Sequence, residues 1–287
     1  MTRIRQRIDS LKETARLLRS NSLVFIGTMM AAAIIIVGLL APAVIKGSVV
    51  TTINLGAKVL PPSSAHILGT DTLGRDLLQI MVISTSYDLF GAAFILLISS
   101  LIGILLGSVA GFFGGRTDEA IMRITDVFLA FPSLILAMAV AAVLGRTLLN
   151  LMIAVTIVWW SPICRLTRGQ AIAEREKLYV DSLQVLGISK RTIIFRHLIP
   201  NTIYPVLVYI TTQVGIVILT FAGLNYIGFG PGPLTPEWGQ LIAQGQIYIF
   251  SDPTVVLFPG IAIFLTSLAF NLFGDGLRDA FDPKLRN

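Results

Sequence analysis

Six times along this chain the charged residues stop for long enough to cross a lipid bilayer. The uncharged apolar runs cover residues 23–45, 89–113, 127–145, 147–164, 198–236 and 253–274. A charge at mid-bilayer costs at least about 2.5–3.5 kcal/mol, so neutrality sustained over such lengths selects a membrane protein. At about 1.5 Å per residue, the first run is roughly 35 Å long and clears the ~30 Å hydrocarbon core with some tilt. Composition agrees: 54% of residues are hydrophobic, 13% are charged and the mean hydropathy is +0.81. A soluble fold this apolar would aggregate.

No run alternates as barrel strands do. Backbone polar groups must be satisfied within lipid, and runs rich in Leu, Ile, Ala and Gly near the right length do so as helices. Each run is therefore read as one spanning helix. The run 198–236 is too long for a single span, but Gly228, Gly230, Pro231, Gly232 and Pro233 crowd its far end and predict that the helix stops near Gly223 or Leu224. Residues 238–251 are also uncharged, yet short and dotted with Gln and Ser, and read as an interfacial or re-entrant element. In the second run Gly103, Gly107 and Gly111 recur every four residues. That spacing lines small residues on one face and favours a close packing seam, within the chain or between subunits.

The net charge of +6 raises the question of nucleic acid, and the placement of the cations answers it. They cluster at the ends of the apolar runs. The first 22 residues, residues 114–126, residues 165–197 and the C-terminal tail together hold 18 of the 22 Lys and Arg. The remaining four are Lys46, Lys58, Arg75 and Arg146. By the positive-inside rule the first set of loops is cytoplasmic, and six crossings put both termini there. A secretory signal is the competing reading of the basic head and the 41–43 Ala-Pro-Ala. The apolar run exceeds the about 7–15 residues of a signal, so the segment is expected to stay attached.

Catalytic chemistry finds no footing. His66 and His197 fall in loops expected on opposite sides of the membrane, and the one cysteine, Cys164, forms no internal disulfide or multi-cysteine site. No G-x-x-x-x-G-K-[ST] loop is present, so no P-loop ATP hydrolysis is expected from this chain. The six runs contain no Asp, Glu, Lys or Arg. Ion-coupled carriers usually keep such a residue in the membrane, which weighs against a stand-alone carrier without excluding one built on backbone and hydroxyl oxygens. Energy is expected to enter from outside.

The longest basic loop, residues 165–197, is the candidate entry point. Residues 170–186 read as helix-forming, Gly187 as a break with positive φ, and a second helical piece as starting at a Ser189 cap and ending before Pro200. Within it Tyr179-Val180-Asp181-Ser182-Leu183, then Leu186-Gly187, then Phe195-Arg196-His197-Leu198-Ile199-Pro200-Asn201 resemble the "EAA" loop of binding-protein-dependent ABC importer permeases. In that family Glu-Ala-Ala precedes a Gly by four residues and a Leu-Pro or Ile-Pro follows. Further marks are His66-Ile67-Leu68-Gly69-Thr70-Asp71-Thr72-Leu73-Gly74-Arg75-Asp76, Asp126 through Pro132, Leu257 through Gly260 and Asn271 through Asp279. The resemblance covers nearly the whole chain and is closest to the second permease of peptide-type systems. Asp181, Ser182 and Leu183 stand where the family has Glu-Ala-Ala; Asp181 keeps a negative charge near a helix start.

The resemblance implies an all-α, six-helix transmembrane bundle of the type I importer class. It divides into residues 1–80, with the first helix and an outer loop, and a core permease domain at 81–287 whose coupling loop is 165–200. It implies a prokaryotic cell-membrane location, a homologous second permease, two ATP-binding subunits carrying ATP and Mg, and an external substrate-binding protein. No cofactor or metal is expected on this chain, and no nucleic acid. Residues 179–189 would seat in the ATPase, with Asp181 and Leu183 as contact or positioning residues and Gly187 setting the bend. His66, Gly69, Asp71, Gly74, Arg75 and Asp76 would dock the binding protein, or fold as a cap through Asp71 with Arg75 and Asp76 clustered at the surface. Thr211, Thr212, Gln213 and Asn271 are candidates to line the pathway, or to bond helix to helix. Peptides are the expected cargo; oligosaccharides or nickel chelates are alternatives within the class.

Overall fold

A computed structural model of the protein describes residues 22–281. The six N-terminal cations of the orientation argument, and Lys284 and Arg286, lie outside the described residues. Among the described residues regular structure is helical, apart from one isolated bridge between Thr70 and Asp76.

The helices are α1 (Ser22–Val44), a short α2 (Gly47–Thr51), α3 (Leu77–Phe113), α4 (Gly115–Ala130), α5 (Ser133–Leu144), α6 (Leu148–Arg175), α7 (Leu178–Val185), α8 (Lys190–Tyr226), α9 (Trp238–Gly245) and α10 (Thr254–Phe281). Five of them, α1, α3, α6, α8 and α10, are long and apolar enough to span a membrane, and α4 with α5 makes a sixth if that bent pair is one span.

Five sequence expectations need correction. Residues 127–145 are not one straight spanning helix: α4 and α5 meet at 93°. Pro132 supplies no N–H and pushes Phe131 into extended backbone (φ −96°, ψ 143°), so the helix must stop and restart there. The second span starts at Leu77 rather than Leu89, because Asp76 Oδ1 accepts the Gln79 N–H at 3.0 Å and opens the helix early. Asp88 thereby lies inside α3, and the expectation of spans free of ionisable residues fails. Residues 170–186 are not one helix either, since Lys177 is extended (ψ 137°) between α6 and α7. The helix after Ser189 does not end before Pro200. It continues as α8 through a π-turn at Ile194–Leu198, where the Ile199 N–H bonds Ile194 O five residues back. Widening the turn just ahead of Pro200 makes room for its ring and its missing donor.

The far end of α8 comes within two residues of expectation. Gly228 at φ +96° and the bond from Phe229 N–H to Leu224 O (3.0 Å) terminate it at Tyr226.

Two compact units pack separately: residues up to Gly91 with those from Thr211 onward, and Ala92–Ile210. In the first, α1 lies against α10. A Cβ on Gly27 would sit 2.3 Å from the Leu272 Cβ, and one on Gly276 2.1 Å from Val24 Cγ1. In the second, the glycine seam of α3 packs within the chain. Added Cβ atoms on Gly103, Gly107 and Gly111 would come within 2.5–2.8 Å of Trp160 O and Ile163, Cys164 O, and Ala171 on α6. The seam's four-residue spacing thus brings two backbones together.

Candidate functional site

Helix α7 is an eight-residue element held from beneath and bare on top. Val180 is fully buried in a cluster with Phe112, Ala171, Ile193, Ile194 and Leu198, and Tyr179 and Leu183 pack against that cluster. The opposite face carries Leu178, Ser182, Val185 and Leu186, which follow the i, i+4, i+7, i+8 pattern of one helical stripe. Leu178 is 84%, Val185 88% and Leu186 75% exposed. Exposed apolar side chains grouped on so short an element mark a contact surface.

Both ends of α7 are fixed by specific bonds. At the start, Glu174 accepts from Lys177 Nζ and from the Tyr179 hydroxyl, each at 2.7 Å, and Asn201 Nδ2 donates to the same hydroxyl at 3.1 Å. This network joins α6, α7 and the early part of α8 and buries the Glu174 side chain to 8% exposure. At the finish, Gly187 adopts φ +74°, Ile188 N–H bonds Leu183 O at 3.1 Å and Gly187 N–H bonds Gln184 O at 3.0 Å. That is a Schellman motif with Gly187 at the left-handed position, as its predicted positive φ requires. Ser189 Oγ then accepts the Thr192 N–H and caps α8 as expected.

Asp181 is exposed and lines a cleft of about 510 Å³ with Phe112, Phe113, Arg175, Glu176, Gln184 and Lys190. Arg175 Nη1 donates to Gly111 O and Phe112 O, placing a cation at the C-terminus of α3, where the helix dipole favours it. Leu183 faces the interior, so of the two residues singled out beforehand it positions the helix and Asp181 meets solvent. The roles of Glu174 and Asn201 were not read from sequence. Their contacts depend on the backbone break at Lys177, for which no Gly or Pro gives a signal.

The loop before α3 is a folded piece in its own right. Asp71 Oδ1 accepts from Leu73 N–H (2.9 Å) and Arg75 N–H (2.8 Å), and Oδ2 from Arg75 Nε at 2.7 Å. Arg75 also donates to Val50 O. Asp71 does cap the turn, but Arg75 and Asp76 form no surface cluster. Arg75 is buried with Asp71, while Asp76 pairs with His66 Nδ1 at 2.8 Å. Asp71 holds Arg75 inward with both carboxylate oxygens, one on its backbone N–H and one on its Nε. Gly74 (φ +74°) would drive a Cβ to 1.8 Å from Asn54 O, and Gly69 (φ +82°) to 2.4 Å from Leu60 O. The loop joins α9 through Thr72 Oγ1 to Gln244 Oε1 at 2.9 Å.

Of the pathway candidates, Thr211 and Thr212 lie against α10. A Cβ on Gly274 would meet Thr212 Cγ2 at 2.6 Å and Thr211 Oγ1 at 3.3 Å. Asn271 Nδ2 reaches Ser267 Oγ at 3.5 Å on its own helix, and Gln213 is half-buried.

A multi-pass helical protein with a clamped, apolar-faced helix between two spans has the build of a membrane transport subunit. The chain belongs to the family described as the binding-protein-dependent transport system inner membrane component, whose model matches residues 103–287. It is similar to the glutathione transport system permease protein GsiD of Pectobacterium atrosepticum, at 42% identity over 79% of this chain and 75% of that one. It is also 42% identical to the probable D,D-dipeptide transport system permease protein DdpC of Escherichia coli K12, over 81% and 78% of the two chains. The dipeptide transport system permease protein DppC of Alkalihalophilus pseudofirmus is 37% identical over 98% of this chain and 92% of its own. Among solved structures, an inward-facing conformation of the MetNI methionine ABC transporter superposes with a TM-score of 0.55 at 17% identity, covering 72% of this chain and 98% of that chain. That likeness concerns the fold. The protein is accordingly an inner-membrane permease component that carries cargo across rather than an enzyme.

Proposed function

We propose that this chain forms half of the membrane pathway of an ATP-driven importer for short peptides. A second, homologous permease completes the pathway, two ATP-binding subunits holding ATP and Mg drive it, and a binding protein outside the membrane delivers the cargo. The peptide class is supported by the dipeptide and glutathione systems to which the chain is similar. Helix α7 is the coupling element on the cytoplasmic side, and both termini lie on that side.

The observation that carries this reading is the exposed stripe of Leu178, Val185 and Leu186 on a helix anchored beneath by Val180. Such a stripe is suited to a groove in a soluble partner. Closure of the ATPases would push α7 sideways and tilt α6 and α8 between inward- and outward-open arrangements, so that the permease contributes bistable mechanics and its partners contribute chemistry.

The test uses single cysteines in a Cys164→Ala background of the assembled complex. A cysteine at Val185 is expected to crosslink to the ATPase, and one at the buried Val180 is not. An active complex in which positions 178, 185 and 186 all fail to crosslink would overturn the docking assignment.

A further inference from the structure

The two most deeply buried acids outside the coupling site face each other. Asp88 in α3 and Glu237, the N-cap residue of α9, are both fully buried, and both belong to the first compact unit. Their side-chain carboxyl groups are close enough to interact directly. Asp88 Oδ2 accepts the Trp238 N–H at 3.2 Å and Glu237 Oε2 accepts the Gln240 N–H at 2.7 Å. The second oxygen of each, Asp88 Oδ1 and Glu237 Oε1, is buried with no donor.

An ionised carboxylate only accepts. Two in contact, away from water, leave acceptor facing acceptor and two like charges in a medium of low dielectric. The N-terminus of α9 gives each carboxylate an N–H, and its partial charge of about half a unit offsets only part of two negative charges.

Among the described residues no cation is paired with either carboxyl. Helices α1, α3 and α9, and α8 from Ile199 onward, contain no Lys, Arg or His. The charged residues of α10, Asp275, Arg278 and Asp279, lie in its last two turns. The loop that meets α9 at Gln244 brings Asp71 and Arg75, which pair with each other, His66, which pairs with Asp76, and Lys58, whose ammonium lies over the Tyr248 ring. Tyr87 adjoins Asp88 in sequence, and the Tyr226 hydroxyl at the end of α8 donates to Gln246 Oε1 at 2.7 Å. A shared proton repairs the arrangement with one atom: it turns an acceptor into a donor and removes one charge.

We propose that Asp88 and Glu237 form a proton-binding site in which one proton is held between the two carboxyl groups at neutral pH, fixing the start of α9 on α3. Burial also pushes the Glu237 carboxyl above its ordinary range, in keeping with a retained proton.

Infrared spectroscopy of the whole importer complex in proteoliposomes tests this. At pH 7 and without sodium, the wild type is expected to show the C=O stretch of a neutral carboxylic acid. Asp88→Asn and Glu237→Gln, each of which puts an amide donor beside the remaining carboxylate, are expected to abolish it. Should a variant fail to assemble, carboxyl-labelled aspartate or glutamate incorporated into the wild type shifts the band and assigns it without any substitution. The site is overturned if the wild type shows no such band, or if neither label nor substitution moves it. It is equally overturned if sodium removes the band at constant pH, since the pair would then be a metal-cation site.

Discussion

Gly107 and Gly169 lie in the same compact unit, and neither has a left-handed backbone, yet their environments differ. A Cβ on Gly107 would be 2.5 Å from Cys164 O, which is backbone and cannot swing away, whereas one on Gly169 meets nothing within 4 Å. Gly107→Ala is expected to destabilise by about 1–3 kcal/mol through overpacking. Gly169→Ala should be neutral or stabilising by up to about 1 kcal/mol through helix propensity. Thermal unfolding of the purified complex separates them. Glu237 adds a pH dependence. Its folded-state value is raised, so the folded protein keeps a proton that the unfolded chain releases. That contribution is complete below the unfolded value and fades as pH rises through the folded one. The wild-type melting temperature should therefore fall toward alkaline pH, and less so in Glu237→Gln. A flat wild-type profile would contradict this.

At the scale of elements, α7 shows what a sequence discloses and what it withholds. The Gly187 bend and the Ser189 cap were legible because each rests on a residue type with one strong local preference. So was the glycine seam of α3, whose spacing is its own signature. The break at Lys177 is not legible, because it is held by side-chain bonds that Lys177 and Tyr179 donate to Glu174 and by the bond from Asn201 on α8 to Tyr179. The π-turn before Pro200 and the restart after Pro132 share another cause: proline announces a disturbance in a helix without saying whether the chain bends, widens or stops. Asp88 is not legible as a residue of the span, because the uncharged run begins after it while the helix itself is opened by the cap at Asp76. Gly187→Val is expected to impair uptake at least several-fold with the complex still assembled, since a β-branched residue resists φ +74° although nothing occupies the space around it. Gly187→Asn, which tolerates that conformation, should retain most of the activity. Equal uptake by the two variants would argue against the bend.

At the scale of the molecule, the family fixes a transport component, and the remaining question is where the energy comes from. Asp88 lies inside α3, so the spans are not free of ionisable residues and do not by themselves disfavour an ion-coupled carrier. The decisive comparison is functional. The purified chain alone, reconstituted with proton or sodium gradients, is expected to accumulate no peptide, while the full assembly accumulates it only with ATP and the binding protein. Uptake by the isolated chain would reverse the assignment.

The double anchoring of α7 has a mechanical consequence. With Tyr179 tied to Glu174 and Asn201 at one end and Gly187 locked by two backbone bonds at the other, the segment between α6 and α8 retains few free torsions. A displacement applied at Val185 finds no compliant joint in which to dissipate. Under the proposed docking it would act as a load on a stiff lever whose fulcrum is the cluster around Val180, and the rotation passed to the two long helices would be larger the shorter the arm between that side chain and the exposed stripe.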